Sequence, residues 1–148
     1  SAFILNLGLE SLHIRMARHC ENGQAVAEYL QNHPKIAWVR YSGLPGDPYY
    51  AVAQKYLPKG SCGVVSFGVK GGRQAAETFM GRLRLGAIAT HVADARTCCL
   101  HPASSTHRQM NDAELEAAGV SADLVRLSVG LESKEDLIAD LEQALSAV

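Results

Sequence analysis

The side chain best placed for chemistry is Arg126, in the run Leu124-Val125-Arg126-Leu127-Ser128-Val129-Gly130-Leu131. Alternation over that run predicts a strand, with Val125, Leu127, Val129 and Leu131 on one side and Arg126, Ser128 and Gly130 on the other. If the apolar row faces helices, the guanidinium projects from a rigid backbone on the opposite face. Its planar fork can then give two parallel N–H donors to a carboxylate. The same pattern also suits a solvated charge or a surface ion pair. His101 and His107 flank a Ser- and Thr-rich loop, but their spacing is no zinc pattern and no thiol or carboxylate partner is suitably placed. No metal is expected, and both imidazoles read as loop packing and hydrogen bonding. Cys99 with His101 has no third group to orient it as a nucleophile and base. Gly71-Gly72 reads as a strand-to-helix turn, not a phosphate cradle.

The elements that must position these residues follow from periodicity. Leu9, Leu12, Met16, Cys20, Gly23, Ala27 and Leu30 recur at helical spacing, predicting one long helix that starts near Leu5 and ends near Asn32-His33-Pro34. Ile36 to Tyr41 reads as a strand, and Ser42 to Pro48 as turn chemistry. A helix with Tyr49, Val52, Ala53 and Tyr56 on one face comes next. Val64 to Val69 is a strand, and Ala75, Ala76, Phe79, Met80 and Leu83 mark a third helix. Ala87 to Leu100 is ambiguous, with Thr97 to Leu100 a plausible strand. Asn111 with Glu114 suggests a capping box on a short helix that Gly119 ends. After the strand Leu124 to Leu131, Ser133 is a candidate N-cap for a terminal helix faced by Leu137, Leu141, Ala144, Leu145 and Val148. No repeat or linker divides the chain, so residues 1–148 are expected to form one α/β domain.

Composition bounds the rest. A chain of 148 residues with 47% hydrophobic and 20% charged residues is long enough for its own core. A net charge of -1 with no basic stripe argues against nucleic acid as a partner. No apolar run approaches the roughly 20 residues of a bilayer crossing, so no membrane partner is expected. Four cysteines, at 20, 62, 98 and 99, form neither a CxxC pair nor a disulfide ladder and read as reduced thiols. A cytoplasmic setting is expected. Phe3, Ile4, Leu5, Leu7 and Leu9 crowd an apolar end that something outside the chain should cover, and the lack of an initiating Met fits a piece of a longer polypeptide.

The text around Arg126, with Glu132 and then Asp136-Leu137-Ile138-Ala139-Asp140-Leu141, resembles the closing motif of the Cys/Met-metabolism pyridoxal-phosphate (PLP) enzymes. Gly8 to Leu12 with Arg15, Met16 and His19, Tyr41 to Pro48, and His101-Pro102-Ala103-Ser104 with Thr106-His107 agree in order and spacing, so the resemblance covers essentially the whole chain. Lys55 to Gly60 and Phe67 to Gly72 are most similar to the O-acetylhomoserine sulfhydrylases, with methionine γ-lyases and cystathionine synthases or lyases as near alternatives. The resemblance implies the carboxy-terminal small domain of a fold-type I enzyme, with a mostly antiparallel sheet and helices on one face. The full enzyme would replace the acetate of O-acetylhomoserine with sulfide or a thiol. It also implies that Arg126 binds the α-carboxylate of a small amino-acid substrate, helped by the backbone around His91 and Val92. Ala93 stands where relatives usually have Gly, and His91 where they often have Ser or Asn; a Cβ at Ala93 is expected to shift that loop. The family's Schiff-base lysine lies in a Ser-x-Thr-Lys context, which none of Lys35, Lys55, Lys59, Lys70 and Lys134 shares. No catalytic or cofactor-binding residue is therefore expected in this chain, and pyridoxal phosphate is not expected to bind it alone. The implied partners are an amino-terminal PLP-binding domain and copies of the same enzyme, tetrameric in the family.

Overall fold

The alternation around Arg126 builds a strand at the centre of a sheet. The computed structural model describes residues 2–148. In chain order its elements are α1 (Ala2–Glu10), α2 (Leu12–Gln31), β1 (Ile36–Arg40), α3 (Tyr50–Tyr56), β2 (Val64–Val69), α4 (Gly72–Arg82), β3 (Ala87–Ile88), β4 (Cys98–Leu100), α5 (Asp112–Ala117), β5 (Leu124–Ser128) and α6 (Lys134–Leu145), with a 3-10 turn at Pro102–Ser104. The strands lie in the order β1-β2-β5-β4-β3, every pair antiparallel except β3 with β4. Helix α6 packs on α2 and α4, and α2 and α4 also pack on the sheet. The result is the mostly antiparallel α/β arrangement that the family resemblance implied.

Register explains which side chains face the helices. Leu127 pairs with Val65 and Cys99, and Val125 with Phe67, so these five share a face. All are buried in one core with Val26 and Leu30 of α2, Phe79 of α4 and Leu137, Leu141 and Leu145 of α6. Phe67 meets Phe79 edge to face, with ring centroids 5.7 Å apart. Burying each such aliphatic or aromatic side chain stabilises the fold by about 1.5–3 kcal/mol.

The other face carries the row Arg40, Ser66, Arg126 and Leu100, all in register. Trp38 sits over Gly68 on this face because the β1 register shifts between Ile36 and Trp38. That irregularity lets Ile36 be buried on the core side while Trp38 faces the other way. A Cβ at Gly68 would fall 2.1 Å from Trp38 Nε1, so only glycine leaves room for the indole, which donates to Asp123 at 3.0 Å.

Several expected elements differ in detail. The single long helix is two, divided at Ser11, where Arg15 folds back so that Nε donates to Ser11 Oγ and Nη2 to the Gly8 carbonyl. A glycine in the preceding turn makes that turn a weak point for propagation. The buried stripe of α2 begins only at His19 and runs through Asn22, Gly23, Val26, Ala27 and Leu30, while Leu9, Leu12 and Met16 are exposed. Strand β5 stops at Ser128. Beyond it Val129 donates to the Gly63 carbonyl and Leu131 to that of Ala95, so Leu131 leaves the core row. The capping box of Asn111 and Glu114 and the N-cap of Ser133 are both present. Gly71 and Gly72, with φ of 105° and 71°, make the turn into α4 that a side chain would resist. Among the described residues no helix is long and apolar enough to cross a membrane.

Candidate functional site

Arg126 rises from β5 between Ser66 and Leu100, on the face opposite α2, α4 and α6, and is half-buried. Its Nη2 donates to the Thr90 carbonyl at 2.9 Å. Its Nε is buried with no partner among the described residues, and none of their carboxylates pairs with the guanidinium. A buried donor left this way costs about 1–3 kcal/mol, a cost that an arriving acceptor would relieve. The fork is thus fixed at one corner and retains donors for an anion.

The loop that meets Arg126 is held at two further points. Ala93 N donates to Ser128 Oγ at 3.0 Å, and Ser128 lies two residues along β5 on the same face as Arg126. Ala93 takes φ of 59°, the left-handed region, and is the one non-glycine residue with positive φ among those described. Asp94 Oδ1 accepts from Arg96 N at 3.0 Å, and Asp94 Oδ2 lies 3.4 Å from His91 Nδ1. The Arg96 hydrogen bond lowers the Asp94 carboxyl below its usual range against the opposing effect of desolvation, and His91 adds to the lowering. His91 and Val92 are 66% and 55% exposed, and of the two side chains it is His91, through Asp94, that braces the loop.

Behind the loop lies a buried polar network. Thr97 Oγ1 accepts from Gly130 N and donates to Glu132, whose carboxylate also accepts from Thr97 N. Asn22 of α2 donates to the carbonyls of Gly130 and Glu132, and His19 Nδ1 meets the Val129 carbonyl at 2.7 Å. Helix α2, the turn after β5 and the loop before β4 are therefore tied together at the end of the sheet that carries Arg126. Sequence reasoning placed Ser128 on the face of Arg126 by alternation, but gave Thr90, Thr97, Asn22 and Glu132 no part.

Other residues considered for chemistry have structural partners. His101 is buried, with Nδ1 against Ser104 Oγ and Nε2 against the Ala122 carbonyl. His107 Nδ1 meets Thr106 Oγ1. Cys99 is buried with its thiol 3.0 Å from Met80 sulfur, and burial pushes its ionisation far above the ordinary thiol range. All four cysteines are free thiols. Lys35 donates to the carbonyls of Leu145 and Val148, Lys70 to that of Pro34, Lys134 lies 3.8 Å from Glu21, and Lys55 stands over the Tyr56 ring. None of these four is directed to Arg126.

Comparison with known proteins bears on this geometry. The family described as Cys/Met metabolism PLP-dependent enzyme matches residues 1–146. The chain is 47% identical over 145 residues to O-acetyl-L-homoserine sulfhydrylase 1 of Thermus thermophilus, covering 98% of this chain and 34% of that protein. It is 45% identical to homocysteine synthase of Schizosaccharomyces pombe, covering 97% and 33%, and 44% identical to L-methionine gamma-lyase of Fusobacterium nucleatum, covering 99% and 37%. A solved structure of a putative O-acetylhomoserine (thiol)-lyase from Campylobacter jejuni, which carries N'-pyridoxyl-lysine-5'-monophosphate, superposes with a TM-score of 0.91 at 37% identity, over 98% of this chain and 34% of that one. The chain thus spans about a third of the length of the relatives it matches.

Proposed function

The chain belongs to the Cys/Met metabolism PLP-dependent enzymes, and from that premise we propose that it is the substrate-carboxylate domain of an O-acetylhomoserine sulfhydrylase. Within a longer polypeptide it would hold the amino acid while acetate is replaced by sulfide or a thiol. The observation that carries this reading is Arg126, half-buried, anchored at Nη2 and unpaired by any described carboxylate. A carboxylate docking there gains charge-assisted hydrogen bonds from a fork whose orientation is already set. Backbone of the loop at His91 and Val92 would close on the same group.

The cofactor of this family acts as an electron sink for carbanion chemistry. The residues of this chain do not make a seat for it, because four of its lysines are engaged elsewhere and Lys59 lies on the exposed loop after α3. The roles assigned here are binding and positioning ones. An amino-terminal PLP-binding domain and further copies of the enzyme would complete the site. Four reduced thiols suit a cytoplasmic setting.

Substituting Arg126→Ala in the full-length enzyme is expected to weaken amino-acid binding by about 2–3 kcal/mol, the scale of a charged hydrogen-bonded contact. Steady-state KM for O-acetylhomoserine measures it, and an unchanged KM would sink the assignment. The nearly equal identity to a methionine γ-lyase supports a second reading, elimination of methanethiol from methionine. Product analysis with each substrate separates the two.

A further inference from the structure

Glu132, half-buried in the turn beyond β5, is a carboxylate that no described basic side chain pairs with. Both of its oxygens are directed to Thr97: Oε1 accepts from the backbone N–H at 2.7 Å and Oε2 from the hydroxyl at 2.9 Å. Thr97 is 2% exposed, and its Oγ1 in turn accepts from Gly130 N at 2.8 Å. An ionised acceptor makes such bonds stronger than a neutral amide would. Withdrawing an unpaired charge from water is unfavourable, and the fold accepts that cost at a joint between segments 35 residues apart.

The joint holds one leg of the loop that meets Arg126. That loop leaves the sheet where Ala89 N donates to the Cys99 carbonyl, and it returns at Thr97, whose carbonyl accepts from Ala87 N. Sheet pairing and the contact of the Thr90 carbonyl with Arg126 Nη2 set its first leg. The second leg, Ala95 to Thr97, is fastened to the turn beyond β5. There Leu131 N donates to the Ala95 carbonyl at 2.9 Å, and Thr97 bonds to Glu132 and Gly130. The fit leaves no slack, because a Cβ at Gly130 would fall 2.5 Å from Thr97 N and 2.6 Å from the Ala95 carbonyl oxygen. How far the loop stands from the strand, and with it the place of the Thr90 carbonyl, therefore depends on the carboxylate of Glu132.

We propose that Glu132 is a positioning residue: by fastening Thr97 it fixes the loop from Thr90 to Ala93 against Arg126, so that a substrate carboxylate meets donors already in place. The proposal rests on the assignment of Arg126 to that carboxylate given above. Glu132 touches neither substrate nor cofactor in this role and acts through the loop alone. Its effect is confined to ligands that carry a carboxylate, because that is the group on which the loop closes.

Competitive inhibition of the full-length enzyme by norvaline, and by butylamine, the same molecule without its carboxylate, tests it. Glu132→Gln keeps the size of the side chain but replaces one of its two acceptors by an N–H donor. It is expected to raise the inhibition constant of norvaline at least fivefold while that of butylamine stays within twofold. Thr97→Val, which removes the hydroxyl at equal volume, should match it, and Thr97→Ser, which keeps the hydroxyl, should stay near the parent enzyme. Gly130→Ala keeps every partner and only pushes the loop outward, so the same selective loss is expected from it even where the other variants fail to fold. A purely structural role would move both inhibitors together or neither, and either result overturns the proposal. Arg126→Ala separates the proposal from the reading beneath it. If Arg126→Ala weakens norvaline and Glu132→Gln does not, the positioning role falls alone; if Arg126→Ala leaves norvaline unchanged, the carboxylate assignment falls and takes the proposal with it. Within an Arg126→Ala background, Glu132→Gln is expected to add less than twofold.

Discussion

Ala93 carries a side chain through backbone at φ 59° while its N–H is committed to Ser128. An L-residue in that region costs roughly 1–2 kcal/mol, offset in part by the greater freedom glycine would lose on folding. Ala93→Gly is therefore expected to raise stability by up to about 1 kcal/mol, read as a higher urea midpoint at unchanged slope; a lower midpoint would show the conformation to be unstrained. Asp94 gives this loop a pH dependence. Its carboxyl is lowered in the folded state, so its contribution is present above the ordinary carboxylate range and is lost as pH falls through the folded value. Protection of the Arg96 amide from exchange, corrected for intrinsic rate, should fade in that acid window, and Asp94→Asn should abolish the dependence. At this scale the sequence made Arg126 and Ser128 legible, because a two-residue alternation survives in a strand whatever surrounds it. Thr90 and His19 were not legible. A carbonyl contact made by a loop leaves no pattern, and a buried histidine on a helix breaks the apolar rule by which helix faces are read.

Among the elements, α6 does more than cover the sheet. Asp140, 8% exposed, accepts from the backbone N–H groups of Arg84, Leu85 and Gly86, and so shapes the turn from α4 into β3. Asp140→Ala strands three donors and is expected to destabilise the domain by about 3 kcal/mol, measured by denaturant unfolding. Asn111→Ala, which removes only the α5 capping box, should cost about 1 kcal/mol. A loss for Asp140→Ala no larger than that would contradict its bridging role. Capping residues and turn glycines announced both ends of α5 and the starts of α4 and α6 in advance, since caps act within a few residues. The irregularity in β1 and the two-residue strand β3 were hidden, because each is settled by partners distant in the chain, whereas the division at Ser11 rests on a local arginine contact that helical periodicity does not register. Ala87, for example, donates to the Thr97 carbonyl.

On the scale of the whole molecule, the apolar end of α1 is bare, with Phe3, Ile4 and Leu5 between 70% and 77% exposed. The 148-residue chain by itself is expected to self-associate in sedimentation velocity, and Leu5→Glu with Leu9→Glu should shift it toward monomer. A monomer throughout the micromolar range would show that this helix needs no cover. The sheet also has two unlike sides, one sealed by helices and one bearing Arg40, Ser66, Arg126 and Leu100. Folding and ligand choice thereby draw on separate sets of side chains from the same strands. Such a division lets descendants of one scaffold drift in what they accept without forfeiting their ability to collapse. Randomising Arg40, Ser66 and Leu124 should accordingly yield many folded variants of altered selectivity, whereas the same diversity at Val65, Phe67 and Val125 should yield few survivors of any kind.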